Sequence, residues 1–233
     1  MGRSSKDSIL IVEDDHKTAS ILTLYLQKEG FETIEAYNGI DAISLFKKHQ
    51  PVFVLLDLMI PKLDGIEVCK KIRQESDVPI MMVTAKVEEV DKLVGLSIGA
   101  DDYVVKPFSP REIVARVKVI LRRSQRREEG SLKPFSFKGL TVDPEKHKVI
   151  LNGVSLQLTH FEFMLLARLM VAPGRVYSRE TLLEDIYPGG EVNVLDRTVD
   201  VHIKNLRQKI EKNPARPRYI KTVRGIGYQF AEE

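Results

Sequence analysis

The sequence predicts an α/β domain with a doubly wound parallel sheet, followed by a smaller α+β domain. The chain has 233 residues, enough for roughly one and a half to two ordinary domains. Short apolar runs alternate with helical patterns in its first half. The stretch from Arg122 to Pro134 has one apolar residue and contains Gly, Pro and Ser, which indicates a linker. We therefore assign residues 1–122 to the first domain, 123–134 to the linker and 135–233 to the second domain.

Five strands are predicted in the first domain. Continuous apolar runs rich in Val and Ile are typical of parallel strands that helices cover on both faces. The runs are Ile9–Val12, Thr33–Ala36 (the weakest), Val52–Leu56, Ile80–Val83 and Tyr103–Val105.

Helices are predicted between these strands, because apolar residues recur there at helical spacing. Two helix starts carry capping signatures: Asp64 with Glu67, and Ser109 with Glu112, where Pro110 takes the first helical position. Alternating strands and helices imply a parallel sheet with right-handed crossovers.

The polar residues that follow the strands carry the chemistry. Glu13 and Asp14 follow the first strand, Asp57 follows the third, and Thr84 and Lys106 follow the last two. In open α/β sheets such residues converge at the carboxyl edge. Clustered carboxylates repel one another unless a cation lies among them, and an all-oxygen set suits Mg²⁺. An ammonium and a hydroxyl beside them suit a phosphoryl group, which an aspartate can accept covalently.

Each of these residues alone has an ordinary structural explanation. Asp14 or Asp15 could cap the following helix, Asp57 could be a turn residue, and Thr84 could be another cap. Lys106 could be a solvated loop lysine. Their convergence on one edge favours the functional interpretation.

Composition narrows the class of protein. Apolar residues make up 43% of the chain and charged residues 30%, as in soluble globular proteins. The net charge is +3, but residues 196–224 hold nine basic and three acidic residues. The single cysteine, Cys69, excludes internal disulfides and a cysteine-based zinc site. No apolar run could span a membrane and the N-terminus lacks a signal peptide, so we expect a cytoplasmic protein.

The second domain shows turn and capping signals in order. Asn152-Gly153 between two apolar runs is a strong hairpin signal, and Thr159 with Glu162 is a capping box. The predicted elements are a hairpin at 149–156, a helix from Thr159, a shorter helix from Ser178, a helix from Asp196 to Lys212 and a hairpin at 219–230.

The helix at 196–212 has one apolar stripe, formed by Val199, Ile203, Leu206 and Ile210. Its other faces carry Thr, His, Asn and Arg, which suit the major groove of DNA. The tip of the last hairpin carries Arg224, and an arginine suits a narrow minor groove. A surface helix that binds nothing is the alternative that the pattern alone leaves open.

The first domain resembles the receiver domain of two-component response regulators over about residues 6–122. The motifs that carry the resemblance are LIVEDD (10–15), LLDLMIPKLDG (55–65), VTA (83–85) and GADDYVVKPF (99–108). The resemblance implies a flavodoxin-like fold in which Asp57 accepts a phosphoryl group from a sensor histidine kinase.

The same resemblance implies a site for Mg²⁺, or Mn²⁺ in its place. Asp14, Asp57 and the backbone carbonyl of Met59 would bind the ion, and Glu13 would act through a bound water. Lys106 would contact the phosphoryl group.

The resemblance also implies a cis Lys106–Pro107 bond and a switch pair. The hydroxyl of Thr84 would move towards the phosphoryl group and the ring of Tyr103 would rotate inward behind it. A partly buried strand aromatic is the structural alternative for Tyr103.

The second domain resembles the winged-helix effector domain of OmpR/PhoB-type regulators over about residues 135–231. The matching motifs are RTVDVHIKNLRQKI (197–210) and TVRGIGYQF (222–230). The resemblance implies binding to double-stranded promoter DNA and RNA polymerase as a partner. The loop at 188–195 would contact either DNA or RNA polymerase. The implied base-facing residues are Thr198, Val201, His202 and Asn205. The implied phosphate contacts are Arg197, Lys204 and Arg207, and Arg224 is the wing residue.

Family dimers imply a homodimer when the protein is phosphorylated. Its interface would be the surface of the fourth helix, the fifth strand and the fifth helix of the receiver domain. The implied ion pairs across the two-fold axis are Lys92 with Glu112, Asp101 with Arg116, and Asp102 with Arg123.

Two other functions remain open at this point. One is a constitutive DNA-binding protein whose first domain is structural. The other is an aspartyl-phosphate phosphatase, which Leu58-Met59 after Asp57 disfavours because a second carboxylate is missing there. The preferred function is a phosphorylation-switched transcription factor that is not an enzyme, beyond self-phosphorylation and self-dephosphorylation with Mg²⁺.

Overall fold

A computed structural model describes residues 7–85, 98–125, 134–186 and 197–232, without the side chains of 122–125 and 197–198. The chain divides into two units, Met1–Arg122 and Arg123–Glu233. No helix in the described ranges has the length and apolar character needed to cross a bilayer.

The first unit contains a five-stranded parallel sheet. Its strands are β1 (Ser8–Val12), β2 (Glu32–Ala36), β3 (Phe53–Leu56), β4 (Ile80–Thr84) and β5 (Asp102–Val105). Their order is β2-β1-β3-β4-β5 and all neighbours are parallel. The five predicted strands are confirmed, each within one residue at either end. The strand order reverses between β1 and β3, which is where ligands bind in such sheets.

Helices cover both faces of this sheet. The helices with bounds in the described ranges are α1 (His16–Lys28), α2 (Gly39–His49), α3 (Gly65–Glu75) and α4 (Pro110–Gln125); residues 86–97, between β4 and β5, lie outside these ranges. Every residue of β3 and β4 is buried, which explains why these strands are continuous apolar runs rather than alternating ones. Burying each large apolar side chain completely contributes about 1.5–3 kcal/mol to the free energy of folding. The central strands therefore contribute much of the stability of this sheet.

Side-chain caps fix where the helices begin. Asp15 accepts hydrogen bonds from the backbone N–H groups of Lys17 and Thr18 at the start of α1. Asp64 accepts one from Glu67 at the start of α3, as predicted. The helix α4 continues to Gln125, three residues into the segment predicted as the linker, and the division into two units falls between Arg122 and Arg123. Arg, Ser and Gln allow a helix to continue, whereas the first glycine comes at Gly130; residues 126–133 lie outside the described ranges.

The described residues of the second unit form two antiparallel sheets and three helices. The first sheet has the order β6-β7-β8-β9 and the second β10-β12-β11. The strands are β6 (Phe135–Phe137), β7 (Leu140–Asp143), β8 (Lys148–Leu151), β9 (Val154–Leu156), β10 (Tyr177–Ser178), β11 (Ile220–Val223) and β12 (Gly227–Phe230). The helices are α5 (His160–Met170), α6 (Arg179–Ile186) and α7 (Arg197–Ile210).

The local signals in this unit were informative. Asn152 and Gly153 join β8 to β9 with φ of 50° and 85°, as the tight hairpin turn requires. Thr159 and Glu162 form the predicted capping box at the start of α5. The hairpin of β11 and β12 closes the domain, with Ile220 and Phe230 completely buried at its base.

Candidate functional site

An acidic pocket lies at the carboxyl ends of β1 and β3. Glu13 and Asp14 follow β1 and Asp57 follows β3, and one carboxylate oxygen from each lies within 4.8 Å of the others. The backbone N–H of Asp57 donates to the carbonyl of Val12 at 2.9 Å, which joins the two strand ends directly. The predicted convergence of these three carboxylates is confirmed.

Lys106 completes the pocket from the end of β5. Its Nζ donates to both oxygens of Glu13 at 2.7 and 2.6 Å and to Oδ2 of Asp57 at 2.6 Å. Glu13 and Asp57 are only 2% and 4% exposed, so these charges are compensated by the lysine rather than by solvent. The Lys106–Pro107 bond is cis, as expected.

The electrostatics of the pocket keep Lys106 positively charged. Burial raises the pKa of Glu13 above its ordinary value, although Lys106 acts in the opposite direction. Burial would lower the pKa of Lys106, but hydrogen bonds with Asp57 and Glu13 outweigh this and raise it. Lys106 is therefore held in its charged form between two buried carboxylates.

The loop after β3 fixes the carboxylate of Asp57. The backbone N–H of Met59 donates to Oδ1 of Asp57 at 2.9 Å. Gly65 begins α3 so close to this loop that a Cβ atom there would lie 2.3 Å from the carbonyl oxygen of Asp57. A side chain at position 65 would thus displace the loop, which explains why glycine stands there.

The donor set fits a hard divalent cation. Three carboxylates and one ammonium leave a formal charge of −2 when all are ionised, and oxygen ligands of this kind are preferred by Mg²⁺. Asp14 is exposed whereas Glu13 and Asp57 are buried, so the pocket opens towards Asp14.

The predicted switch residues lie on the two strands beside this pocket. Thr84 ends β4 and is completely buried, and its carbonyl accepts a hydrogen bond from the N–H of Lys106 at 2.8 Å. Tyr103 is half-buried in β5 and pairs in register with Met82 of β4. Thr84 lies at the carboxyl end of its strand, whereas Tyr103 lies two residues before the end of β5. The movement of both side chains stays a prediction.

The predicted ion pair between Asp101 and Arg116 of two protomers is wrong. Oδ2 of Asp101 accepts from Nη2 of Arg73 at 2.8 Å and from the N–H of Ile80 at 2.9 Å within the chain. Both Asp101 and Arg116 are almost fully buried, at 1% and 4% exposure. Neither side chain is therefore accessible to a second protomer.

Arg116 has its own partners within the protomer. Its guanidinium binds both oxygens of Asp102 at 3.1 and 3.0 Å and Oε1 of Glu112 at 2.7 Å. Asp102 is 1% exposed, so its predicted pairing with Arg123 of a second protomer is also wrong. The side chain of Arg123 and the whole of Lys92 lie outside the described residues.

The predicted DNA-reading helix, α7, is present and packs as its stripe indicated. Val199, Ile203, Leu206 and Ile210 are all 0–1% exposed.

Three predicted base-facing residues of α7 are buried instead. Val201, His202 and Asn205 are 9%, 1% and 7% exposed, and the ring of His202 stacks on Phe161 with 4.1 Å between centroids. The prediction that these three side chains face bases is therefore wrong. The buried arc of α7 is wider than the apolar stripe, because His202 beside the stripe also packs against Phe161 of α5.

The exposed cations of this surface are fewer than predicted. Lys204 and Arg224 are exposed, as a DNA contact requires. Arg207 instead donates from Nη2 to the carbonyl of Ile220 and to Oγ1 of Thr222, both at 2.7 Å. The side chains of Arg197 and Thr198 lie outside the described set.

Sequence reasoning missed the polar contacts that hold α7 to the last hairpin. Oδ1 of Asp200 accepts from the hydroxyl of Tyr228 and from Nε of Arg179, both at 2.7 Å. The signal available in the sequence was the spacing of Asp200 and Arg207, seven residues apart on one helix. That spacing places them on the same side.

Comparison with known proteins matches both units. The family described as "Response regulator receiver domain" matches residues 9–118, and "Transcriptional regulatory protein, C terminal" matches residues 153–230. The chain is 45% identical over 222 residues to "Transcriptional regulatory protein BaeR" of Escherichia coli, covering 95% of this chain and 92% of that one. It is 34% identical to the crystal structure of DrrB, a Thermotoga maritima OmpR/PhoB homolog, covering 97% and 100% of the two chains with a TM-score of 0.52. The chain belongs to the OmpR/PhoB-type response regulators.

Other members agree over the whole length of this response regulator. "Probable transcriptional regulator ycf27" of Porphyridium aerugineum is 43% identical, covering 97% of this chain and 96% of the relative. The structure of a RitR mutant is 28% identical with a TM-score of 0.78, covering 97% of this chain and 100% of that one. The family resemblance and the fold class given in the sequence analysis are confirmed. The chain is a two-component response regulator with a DNA-binding domain.

Proposed function

We propose that this response regulator accepts a phosphoryl group on Asp57 from a sensor histidine kinase and then binds promoter DNA as a dimer. The observation that carries the proposal is the geometry of Lys106, whose Nζ bridges Glu13 and Asp57 at 2.6–2.7 Å inside the acidic pocket. A buried carboxylate with a hydrogen-bonded lysine beside it is prepared for the charge of a phosphoryl group.

The proposed transfer is a displacement at phosphorus. A carboxylate oxygen of Asp57 forms the new P–O bond, the P–N bond of a phosphohistidine breaks, and the imidazole leaves with the electron pair and takes up a proton. Mg²⁺ or Mn²⁺, when bound, neutralises charge on the phosphoryl oxygens. Asp14, Asp57 and the carbonyl of Met59 would hold the ion, with Glu13 acting through a water.

Phosphorylation changes the partners of Lys106. Its contact with Oδ2 of Asp57 would pass to a phosphoryl oxygen, and the hydroxyl of Thr84 would donate to another. The ring of Tyr103 would then turn inward, which alters the surface beside β5. Lys92, Glu112 and Arg123 remain the candidates for contacts between protomers.

The DNA-binding domain would use α7 in the major groove and the β11–β12 hairpin in the minor groove. Lys204 and Arg224 are the exposed cations that support this arrangement, and Arg197 and Thr198 begin the same helix. We propose RNA polymerase as the partner of the loop at 188–195, which lies outside the described residues, and the cytoplasm as the location.

Incubation with acetyl phosphate and Mg²⁺, followed by intact mass measurement, tests the proposal. We expect a stable gain of one phosphoryl group that Asp57→Asn abolishes. Asp64→Asn is the matched control, because it neutralises a nearby carboxylate while asparagine still caps α3; this variant should gain the same mass. Continuous release of phosphate would indicate a phosphatase instead, and an unchanged mass would indicate a structural receiver.

A further inference from the structure

Both strands of the last hairpin are tied to α7 by polar contacts. The hydroxyl of Tyr228 on β12 donates to Oδ1 of Asp200 at 2.7 Å. On β11, Ile220 offers its carbonyl and Thr222 its Oγ1 to Nη2 of Arg207, each at 2.7 Å. We name this hairpin, residues 220–230, the wing, and the set Asp200, Arg207, Thr222 and Tyr228 the wing clamp.

The contacts of the wing clamp reach both strands of the hairpin at the same position along the ladder. Thr222 and Tyr228 are direct partners across the β11–β12 ladder. Asp200 and Arg207 lie seven residues apart on α7, which is nearly two full turns and brings them to one side of the helix. Lys204 lies between them on the same side, so the clamp joins the wing to the part of α7 that carries an exposed cation.

Tyr228 is the central member of the clamp. Its ring lies between two guanidinium groups, 5.3 Å from that of Arg179 and 5.6 Å from that of Arg207. Burial, followed by the hydrogen bond to Asp200, raises the pKa of Tyr228 to about 12. The hydroxyl therefore remains a hydrogen-bond donor at physiological pH.

In the wing, β12 also pairs with β10 through Gly227 and Tyr228, whereas β11 is the edge strand of this sheet. Ile220 and Phe230 are completely buried at its base, whereas Lys221, Thr222 and the turn at 224–226 are exposed. Ordering a mobile segment when it binds lowers affinity, whereas a segment held in place beforehand avoids that loss.

We propose that the wing clamp is a positioning device that fixes the wing relative to α7, so that Arg224 and Lys204 contact one duplex at the same time. The inference rests on the proposed DNA binding of this domain. It assigns Arg207 to holding the wing rather than to a phosphate, and it gives a DNA-related role to Asp200 and Tyr228.

A double-mutant cycle in the full chain tests the proposal. The probe is a duplex enriched from a random-sequence pool by the beryllofluoride-treated wild-type chain, and its affinity is measured for Tyr228→Phe, Arg224→Ala and the double variant. Tyr228→Phe keeps the ring and removes only the hydroxyl. The matched control is Tyr219→Phe, which removes another buried hydroxyl, one that donates to the carbonyl of Lys138 at 2.8 Å outside the clamp.

We expect Arg224→Ala to weaken binding roughly fivefold or more, the usual size for a groove arginine. Tyr228→Phe should weaken binding measurably, although by no more than Arg224→Ala does. It should have almost no further effect in the Arg224→Ala background, because a displaced wing then no longer carries the arginine that contacts the duplex. Tyr219→Phe should leave affinity unchanged. Asp200→Asn, which weakens the same hydrogen bond, should repeat the pattern if Tyr228→Phe unfolds at a lower temperature.

Three outcomes would overturn the wing clamp. The first is an affinity of Tyr228→Phe equal to that of the wild type. The second is a double variant whose fold-loss of affinity is the product of the two single losses. The third is a loss of affinity in Tyr219→Phe as large as that in Tyr228→Phe. Failure of the wild-type chain to enrich any duplex is a different result, because it would reject the proposed DNA binding itself.

Discussion

Replacing Lys106 by methionine should destabilise the receiver domain, because the buried carboxylates of Glu13 and Asp57 then lose their cation. Methionine nearly preserves the length of the side chain and removes the ammonium that bridges Glu13 and Asp57. Both carboxylates are at most 4% exposed, and their oxygens lie within 4.8 Å of each other. Removing one partner of a buried ion pair leaves the other charge without compensation and costs about 3–5 kcal/mol. The side chain of Lys106 is 23% exposed, which places the expected cost at the lower end of this range. We therefore expect Lys106→Met to lower the free energy of unfolding of the receiver domain by about 3 kcal/mol at pH 7 without divalent ions.

Divalent ions should restore much of this loss. Mg²⁺ would supply the charge that Lys106 no longer provides, and an ion that binds the native pocket but not the unfolded chain stabilises the folded state. The stabilisation produced by Mg²⁺ should therefore be larger in Lys106→Met than in the wild type, where the lysine competes for the same oxygens.

Urea unfolding followed by circular dichroism measures both effects, since the chain contains no tryptophan. The transition that responds to Mg²⁺ belongs to the receiver domain. Lys118→Met is the matched control, because Lys118 pairs at 2.6 Å with Glu29 but both side chains are about half exposed, at 52% and 42%. Such a pair contributes about 0–1 kcal/mol. Equal losses in the two variants, or the same Mg²⁺ stabilisation in Lys106→Met and the wild type, would show that the ammonium of Lys106 does not compensate the buried carboxylates.

Three further predictions concern the protein interior. Arg116→Met leaves Asp102 buried without its cation and should lower the free energy of unfolding by about 3–5 kcal/mol at pH 7. Burial already raises the pKa of Asp102, and an acid whose pKa is raised in the folded state favours folding most at low pH. In urea titrations, the loss of unfolding free energy in Arg116→Met should therefore shrink as the pH falls. A loss that does not change with pH would contradict this. Burial raises the pKa of the Cys69 thiol to about 11, so about one thiol in a thousand is ionised at pH 8 in the folded chain. A thiol-reactive dye should therefore label the chain rapidly in denaturant and slowly without it. Thr159→Ala removes the cap that accepts from the N–H of Glu162 and should cost about 1 kcal/mol in urea unfolding, whereas an unchanged midpoint would mean that the cap is dispensable.

The receiver domain was predictable because its signals are local and point the same way. Buried parallel strands appear as apolar runs, and the residues after them must meet at one edge of the sheet. Asp57 and Lys106 are 49 residues apart in sequence, yet strand order alone brings them together. The partners of Lys106 within the pocket could not be predicted, because they depend on which carboxylates are buried.

The DNA-binding surface was less predictable, since a helix pattern does not show how wide its buried arc is. His202 is polar and lies one position before Ile203 of the apolar stripe, yet it is buried against Phe161. The predicted ion pair between Asp101 and Arg116 of two protomers was wrong for a similar reason. Their charge indicated an interface, but Arg73 and Asp102 within the same chain already bind them. Long-range polar pairs of this kind have no periodicity that a sequence could display.

The most direct test of the account is the affinity of the full chain for its enriched duplex with and without beryllofluoride and Mg²⁺, which together imitate a phosphoryl group on Asp57. Tighter binding and a shift from monomer to dimer in the wild type, with no response from Asp57→Asn, is the predicted result. The same affinity and the same oligomeric state in both conditions would contradict control of DNA binding by the acidic pocket.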